Sequence, residues 1–386
     1  MWQFTSPEII FGDDALSRLS ELEGSKAFIV TDRSLVRLGI LQRVLDQLTV
    51  SDIANDYFAD VEPEPSIQTA ERVKQAIRKY QPEMVIALGG GSVLDVAKIA
   101  WFMFELPDIQ LEEINIFTSY DTGRSRLIAI PTTSGTGADV TAGVVLTDTA
   151  TDRKTVIYAR EFQPSLTIVD PSLAMEMPPN VTADTGMDVV SHAVEAFASP
   201  WNNDFADGLS IKALQLVFDY LPGAYADGKE SEAREHMHNA ATIAGLAITN
   251  SSVALGHALA HSFGAVFPFP HGRIVGMFLP YSIEYTANGG GSRYAELARF
   301  LGLPASSEEE GVTSLVEKIR KLARQVEQPL TIRDLGIGQP ELETALPDLV
   351  TKAMEDHQLL TTLRVPDEED MGRLFMCAFD GQAVDF

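Results

Sequence analysis

Met84-Val85-Ile86-Ala87-Leu88, followed at once by Gly89-Gly90-Gly91-Ser92 and then by helical periodicity from Val93 to Phe104, is the stretch that decides the fold. Five consecutive apolar residues make a short strand buried on both faces, and the glycines turn the chain sharply into a helix. The same grammar recurs at Lys26-Ala27-Phe28-Ile29-Val30-Thr31-Asp32 and at Leu127-Ile128-Ala129-Ile130-Pro131. Continuous apolar strands alternating with helices predict a parallel sheet covered on both sides.

The pattern changes after Leu166-Thr167-Ile168-Val169-Asp170-Pro171. Pro178-Pro179 marks a connection, Thr182 or Asp184 is expected to cap the next helix, and helical periodicity then runs to the end. The expected fold class is therefore an α/β N-terminal domain with a parallel sheet (residues 1–180) and an all-α C-terminal domain (residues 181–386). Halves of different class suggest a ligand cleft between them. Asn288-Gly289-Gly290-Gly291-Ser292 and Ser306-Ser307-Glu308-Glu309-Glu310-Gly311 read as loops.

Composition narrows the function. The 386 residues carry 29 Lys+Arg against 55 Asp+Glu, a net charge of −26, so nucleic acid and anionic membrane are not expected partners. At 45% hydrophobic and 22% charged the chain is ordinary globular material. It has no apolar run long enough to span a bilayer, and its first residues do not read as a signal peptide. Cys377 is the only cysteine, which excludes an intramolecular disulfide and any multi-cysteine zinc site. A cytoplasmic protein is the expectation.

Two strand-end turns could hold phosphate and sugar. Gly89-Gly90-Gly91-Ser92 exposes helix N-terminal amides to a close anion, or is simply a tight turn. Asp95 and Lys98 follow on the new helix, where Lys98 either offsets ligand charge or lies on the surface. Thr132-Thr133-Ser134-Gly135-Thr136-Gly137 offers flexible backbone with closely spaced hydroxyls, or is an ordinary Ser/Thr turn. Both turns lie at the same end of successive strands, where open α/β sheets bind ligands. Asp32 either accepts hydrogen bonds from an adenosine ribose, favouring NAD over NADP, or caps the next helix.

Four of the seven histidines form tight neighbourhoods. Asp188 and His192 are four apart, as are His257 and His261, which puts each pair on one helix face. His271 follows in Pro268-Phe269-Pro270-His271-Gly272. Imidazoles with a carboxylate suit Fe2+ or Zn2+, although a site that also takes substrate must expand its coordination or give one histidine another task. Glu195 shares the face of Asp188 and could orient a ligand or make a helix salt bridge. His236, His238 and His357 read as surface or local-capping residues.

Taken together, these motifs resemble the iron-containing (group III) alcohol dehydrogenases, a family that includes lactaldehyde reductases and the C-terminal half of aldehyde-alcohol dehydrogenases. The resemblance runs from Gly89–Lys98 through Pro131–Gly137 and Gly186-Met187-Asp188 with His192 to His257–His271. It implies a dinucleotide-binding N-terminal domain and a metal-binding, catalytic C-terminal domain. Asp188, His192, His257 and His271 match the metal ligands, and His261 matches a proton-relay residue. Asp32, Gly90, Gly91, Thr132, Thr133 and Thr136 match cofactor contacts; Ser92, Asp95 and Lys154 complete the candidate set. Pro63-Glu64-Pro65 departs from the family's Pro-Asn-Pro turn, and Ala138-Asp139-Val140 has Asp where many members have Glu. Gly143 and Ile248 fall where relatives place pocket-lining side chains.

The expected activity is metal-dependent, NAD(H)-linked oxidation of small primary alcohols or reduction of aldehydes, in a homodimer or larger homo-oligomer. The rivals are a polyol dehydrogenase or maleylacetate-reductase-like enzyme on the same fold, and a metal- or dinucleotide-binding sensor without turnover. His261 argues against the sensor, which has no need of a proton relay.

Overall fold

The computed structural model describes residues 3–148 and 153–386, with the backbone alone at Asp148, Arg153 and Lys154. The chain divides into two compact units, Thr5–Glu176 and Met177–Phe386, the second joined by the N-terminal residues through Phe4.

Among the described residues the first unit holds eight strands, β1 (Glu8–Phe11), β2 (Lys26–Val30), β3 (Ala54–Phe58), β4 (Met84–Gly89), β5 (Arg126–Pro131), β6 (Gly143–Asp148), β7 (Arg153–Tyr158) and β8 (Leu166–Val169). Its α-helices are α1 (Arg33–Arg37), α2 (Ile40–Val50), α3 (Ile67–Tyr80) and α4 (Gly91–Glu105). Six strands form one sheet in the order β1-β8-β5-β4-β2-β3, every neighbouring pair parallel. β4 is buried along its whole length, as its unbroken apolar run requires. The chain steps from β2 outward to β3 and then back across to β4, so the order reverses between β2 and β4. Open α/β sheets bind ligands at such a reversal, outside the carboxyl ends of the strands.

β6 and β7 form a separate antiparallel hairpin. Two polar residues of α4 hold it. Asp95 Oδ2 accepts from Val145 N at 2.9 Å, and Lys98 Nζ donates to Thr141 O, Thr141 Oγ1 and Gly143 O at 2.9, 3.0 and 3.1 Å. Lys98 is thus neither a surface lysine nor placed on a ligand by these contacts: it is 1% exposed. Burial lowers its pKa to about 8 against the opposing pull of Asp95 and Asp139, and burial raises Asp95 to about 6.

The second unit contains α5 (Pro179–Ala198), α6 (Asp204–Ala226), α7 (Ser231–Thr249), α8 (Leu255–Val266), α9 (His271–Asn288), α10 (Tyr294–Phe300), α11 (Glu308–Gln325), α12 (Gln339–Met354) and α13 (Glu368–Asp380). Among the described residues it has no strand. α5 starts earlier than expected, at Pro179, so Thr182 and Asp184 lie inside it and do not cap it. Proline suits the first helical position because its missing N–H has no intrahelical partner there. The acidic run at 308–310 is not a loop. Ser307 caps α11, accepting from Glu310 N, and the three glutamates form the helix's first turn, where the macrodipole favours negative charge. α13 opens the same way, with Asp367 as cap and Glu368, Glu369 and Asp370 behind it. His238 is 1% exposed on α7, a core residue and not a surface one. No helix among the described residues is long and apolar enough to cross a membrane.

Replacing Lys98 by Met removes every hydrogen bond from Nζ and leaves Asp95 without its cation. The expected loss is about 3 kcal/mol of unfolding free energy in this unit. Guanidinium titration followed by Trp101 fluorescence in a background lacking the other tryptophans measures it; an unchanged midpoint refutes the anchoring role.

Candidate functional site

Three sequence-predicted elements of the first unit come together at the carboxyl ends of β2, β4 and β5. Gly90 is the N-cap of α4, so Gly91 and Ser92 open the helix with their amides outside the intrahelical ladder. The threonine turn packs directly on them. A Cβ added to Gly90 would lie 3.2 Å from the Thr133 side chain, and one added to Gly91 only 2.7 Å from Thr136 Cγ2. Glycine at 91 is therefore required by close approach of the two turns. Thr132 N donates to Gly89 O at 3.0 Å and is buried, while Thr136 Oγ1 accepts from Ala138 N. Ser92 Oγ donates to the Pro63 carbonyl, which ties the divergent Pro63-Glu64-Pro65 turn to the glycine turn.

Asp32 follows β2 and caps α1, its Oδ1 accepting from Ser34 N at 2.6 Å and Leu35 N at 3.1 Å. The cap engages Oδ1 alone, so capping and a second role through Oδ2 are compatible. Asp95 faces the hairpin through Val145 N, as described above. Lys154 lies on β7 in register with Thr147, and its side chain falls outside the described residues.

In the second unit α5, α8 and the start of α9 bring the predicted ligands together. One ligand atom each of Asp188, His192 and His257 lies within 4.8 Å of the others, and all three residues are buried. His192 Nε2 is 3.6 Å and His271 Nε2 is 3.8 Å from the same atom, Asp188 Oδ1. His271 stands at the open side, its side chain 34% exposed. The rings of His192 and His257 stack at 5.0 Å, and His257 and His271 lie 5.4 Å apart.

The chemistry of this donor set fits a divalent cation. Asp188 Oδ1, His192 Nδ1 and His257 Nε2 are buried with no hydrogen-bond partner. Such groups are rare in folded proteins unless an ion or water completes them. Burial raises the pKa of Asp188 and pushes that of His257 well below its ordinary value, helped by the neighbouring histidines. A neutral imidazole is the form that ligates a metal.

Glu195 explains which nitrogen of His257 faces the centre. Its Oε1 accepts from Gly256 N at 2.6 Å, its Oε2 accepts from Ala254 N at 2.9 Å, and Oε2 also meets His257 Nδ1. Burial raises Glu195 to about 7, while the backbone N–H donors work the other way. Of the two roles the sequence allowed Glu195, the structure places it against a histidine and not in a helix salt bridge. His261, one turn beyond His257, meets Asp356 Oδ2 through Nδ1 at 2.8 Å. Burial opposes the Asp356 carboxylate, but hydrogen bonding and charge from His261 outweigh it and hold its pKa low. Sequence reasoning missed Asp356, which lies 95 residues from its partner and carries no motif. His236 and His357 stand apart from this group, His236 beside Tyr220 and His357 exposed.

Residues 6–171 match the model described as "Iron-containing alcohol dehydrogenase", and residues 182–379 match "Fe-containing alcohol dehydrogenase family, C-terminal". The chain belongs to the iron-containing alcohol dehydrogenases. It is 34% identical to an NADPH-dependent butanol dehydrogenase of Clostridium saccharobutylicum over 100% of both chains. It is 35% identical to an aldehyde-alcohol dehydrogenase of Streptococcus pneumoniae, across 98% of this chain but only 46% of that protein, so it spans about half of that relative's length. The solved structure of a sulfoacetaldehyde reductase from Bifidobacterium kashiwanohense in complex with NAD+ superposes with a TM-score of 0.87 at 30% identity, covering 98% of each chain.

Glu195→Gln tests the support of His257. A glutamine has one acceptor oxygen where Glu195 uses two, so its NH2 opposes either Gly256 N or the Ala254 N and His257 Nδ1 pair, and the hold on the imidazole is broken or weakened. Metal affinity, measured by chelator competition, is expected to fall about 10–100-fold; wild-type affinity refutes the assignment.

Proposed function

We propose that this member of the family is an NAD(H)-linked dehydrogenase that interconverts small primary alcohols and aldehydes with a divalent metal, Fe2+ first and Zn2+ as a substitute. The observation that carries the reading is the convergence of buried Asp188, His192 and His257, of which Asp188 Oδ1 and His257 Nε2 lack hydrogen-bond partners, with His271 beside them. These four residues would hold the cation. When bound, it supplies Lewis acidity toward the oxygen of the alcohol or aldehyde, and the dinucleotide supplies or accepts the hydride.

The remaining chemistry belongs to the chain. Glu195 fixes the His257 tautomer and so keeps the Nε2 lone pair directed to the centre. His261, held through Nδ1 by Asp356, has Nε2 left for proton exchange, and an imidazole suits that task near neutral pH. A protein that merely binds metal gains nothing from such a His–Asp dyad, which supports turnover over sensing. Gly90, Gly91, Ser92, Thr132, Thr133 and Thr136 would receive the dinucleotide phosphates and the sugar or ring nearest them. The helix N-terminus and the glycine backbone of this edge support that placement. Asp32 would take the adenosine ribose hydroxyls, and its charge disfavours a 2′-phosphate. The same reading includes a cytoplasmic homo-oligomer; the sheet-edge position of β1, where Phe11 is 66% exposed, supports self-association.

The decisive experiment loads metal-free protein with Fe2+ or Zn2+ and assays straight-chain primary alcohols and their aldehydes with NAD(H) and NADP(H). Turnover that requires metal is expected; none with either metal and either cofactor overturns the proposal. Asp32→Gly keeps an acceptable helix cap while deleting the carboxylate. It should raise the NADP-to-NAD ratio of kcat/KM about tenfold, equivalent to about 1.4 kcal/mol, and an unchanged ratio removes Asp32 from cofactor choice.

A further inference from the structure

His271 is the first residue of α9. The first turn of a helix lacks the intrahelical N–H bonds that hold later turns, so contacts from outside the helix help to set the position of His271. Three contacts close to His271 converge on Asp184. Arg273 forks its carboxylate, Nε to Oδ1 at 2.9 Å and Nη2 to Oδ2 at 3.0 Å. Gln328, beyond the end of α11, donates Nε2 to Oδ1 at 2.9 Å. Gly272 sits so close that an added Cβ would overlap the Asp184 carbonyl.

Asp184, Asp188 and His192 succeed one another at four-residue intervals along α5, so they share one face of that helix. Asp184 is 5% exposed, one turn before Asp188. Arg273 is two residues after His271. The ion pair therefore joins α5 and α9 directly beside the point where Asp188 Oδ1 and His271 Nε2 come within 3.8 Å. By contrast, Asp188 and His192 ride in the body of α5, and His257 has Glu195 behind it.

We propose that Asp184 and Arg273, steadied by Gln328, are positioning residues for His271: a bidentate clamp that holds the most exposed candidate ligand against Asp188. The clamp rests on the metal reading above and touches neither metal nor substrate. Arginine is the fitting residue because its planar fork fixes orientation as well as charge, which a lysine ammonium does not.

Co2+ serves as the probe, added to metal-free full-length protein and titrated against a chelator, with its visible ligand-field spectrum reporting coordination. Wild type, Arg273→Gln, His271→Ala and the double variant form a cycle. Arg273→Gln is expected to weaken Co2+ about tenfold or more and to shift the spectrum toward that of His271→Ala. The double variant should bind no more weakly than His271→Ala alone. Arg273→Lys, which keeps the charge and loses the fork, provides a second variant with a smaller shift in the same direction, should the glutamine form fail to fold.

A pair that served stability alone would lower the melting temperature of metal-free protein and leave Co2+ affinity and spectrum unchanged. That result overturns the clamp. So does a loss from Arg273→Gln that adds in full to the loss from His271→Ala. Failure of wild type to take up one equivalent of Co2+ is a separate outcome, which overturns the metal reading and the clamp with it.

Discussion

A carboxylate oxygen buried without a hydrogen-bond partner is one of the more expensive things a protein can contain, and Asp188 Oδ1 is such an oxygen. Around it the helical unit has gathered the imidazoles of His192, His257 and His271, and burial keeps that of His257 neutral. That single constraint orders much of the unit. It explains why α5 carries polar residues on a face that packs inside, and why Glu195 is drawn in behind His257. It also accounts for a raised carboxylate and a depressed histidine occurring side by side, since both respond to loss of water.

The α/β unit works by a different economy. Its sheet places three strand ends next to one another, and the turns there are built of glycine and hydroxyl residues because two backbones must approach closely. Apart from Asp32, the charge near this edge is used one turn deeper, where Asp95 and Lys98 tie the β6–β7 hairpin to α4. The edge itself offers amides, hydroxyls and one capping carboxylate, a set suited to anionic phosphate and neutral sugar.

Much of this was legible in the sequence, for identifiable reasons. β2, β4, β5 and β8 are apolar along most of their length because both of their faces are covered, and such strands announce themselves. β1 and β3 do not. They lie at the two edges, are half-exposed, and read as mixed polarity in Ala54-Asn55-Asp56-Tyr57-Phe58. In the candidate centre, pairs on one helix face were visible as four-residue spacings. Asp356 and Gln328 were not, because they reach their partners through tertiary packing across long stretches of chain. Arg273 stood next to a predicted ligand, but only the fold reveals that it grips Asp184. The acidic run at 308–310 misled for a local reason: without Ser307 recognised as a cap, a helix start looks like a solvated loop.

That helix start bears on the large negative charge. Some of the chain's acids occupy the opening turns of α11 and α13, where free backbone amides welcome them. Those carboxylates repel the rest of an anionic surface and at the same time stabilise the helices that carry them. Recharging the protein, for immobilisation or for a different solvent, therefore depends on which acids are removed. Exposed acids in helix interiors or loops, away from the candidate centre, can be exchanged for lysine with relief of repulsion. The same exchange in a first turn sets a cation against the positive end of its own helix.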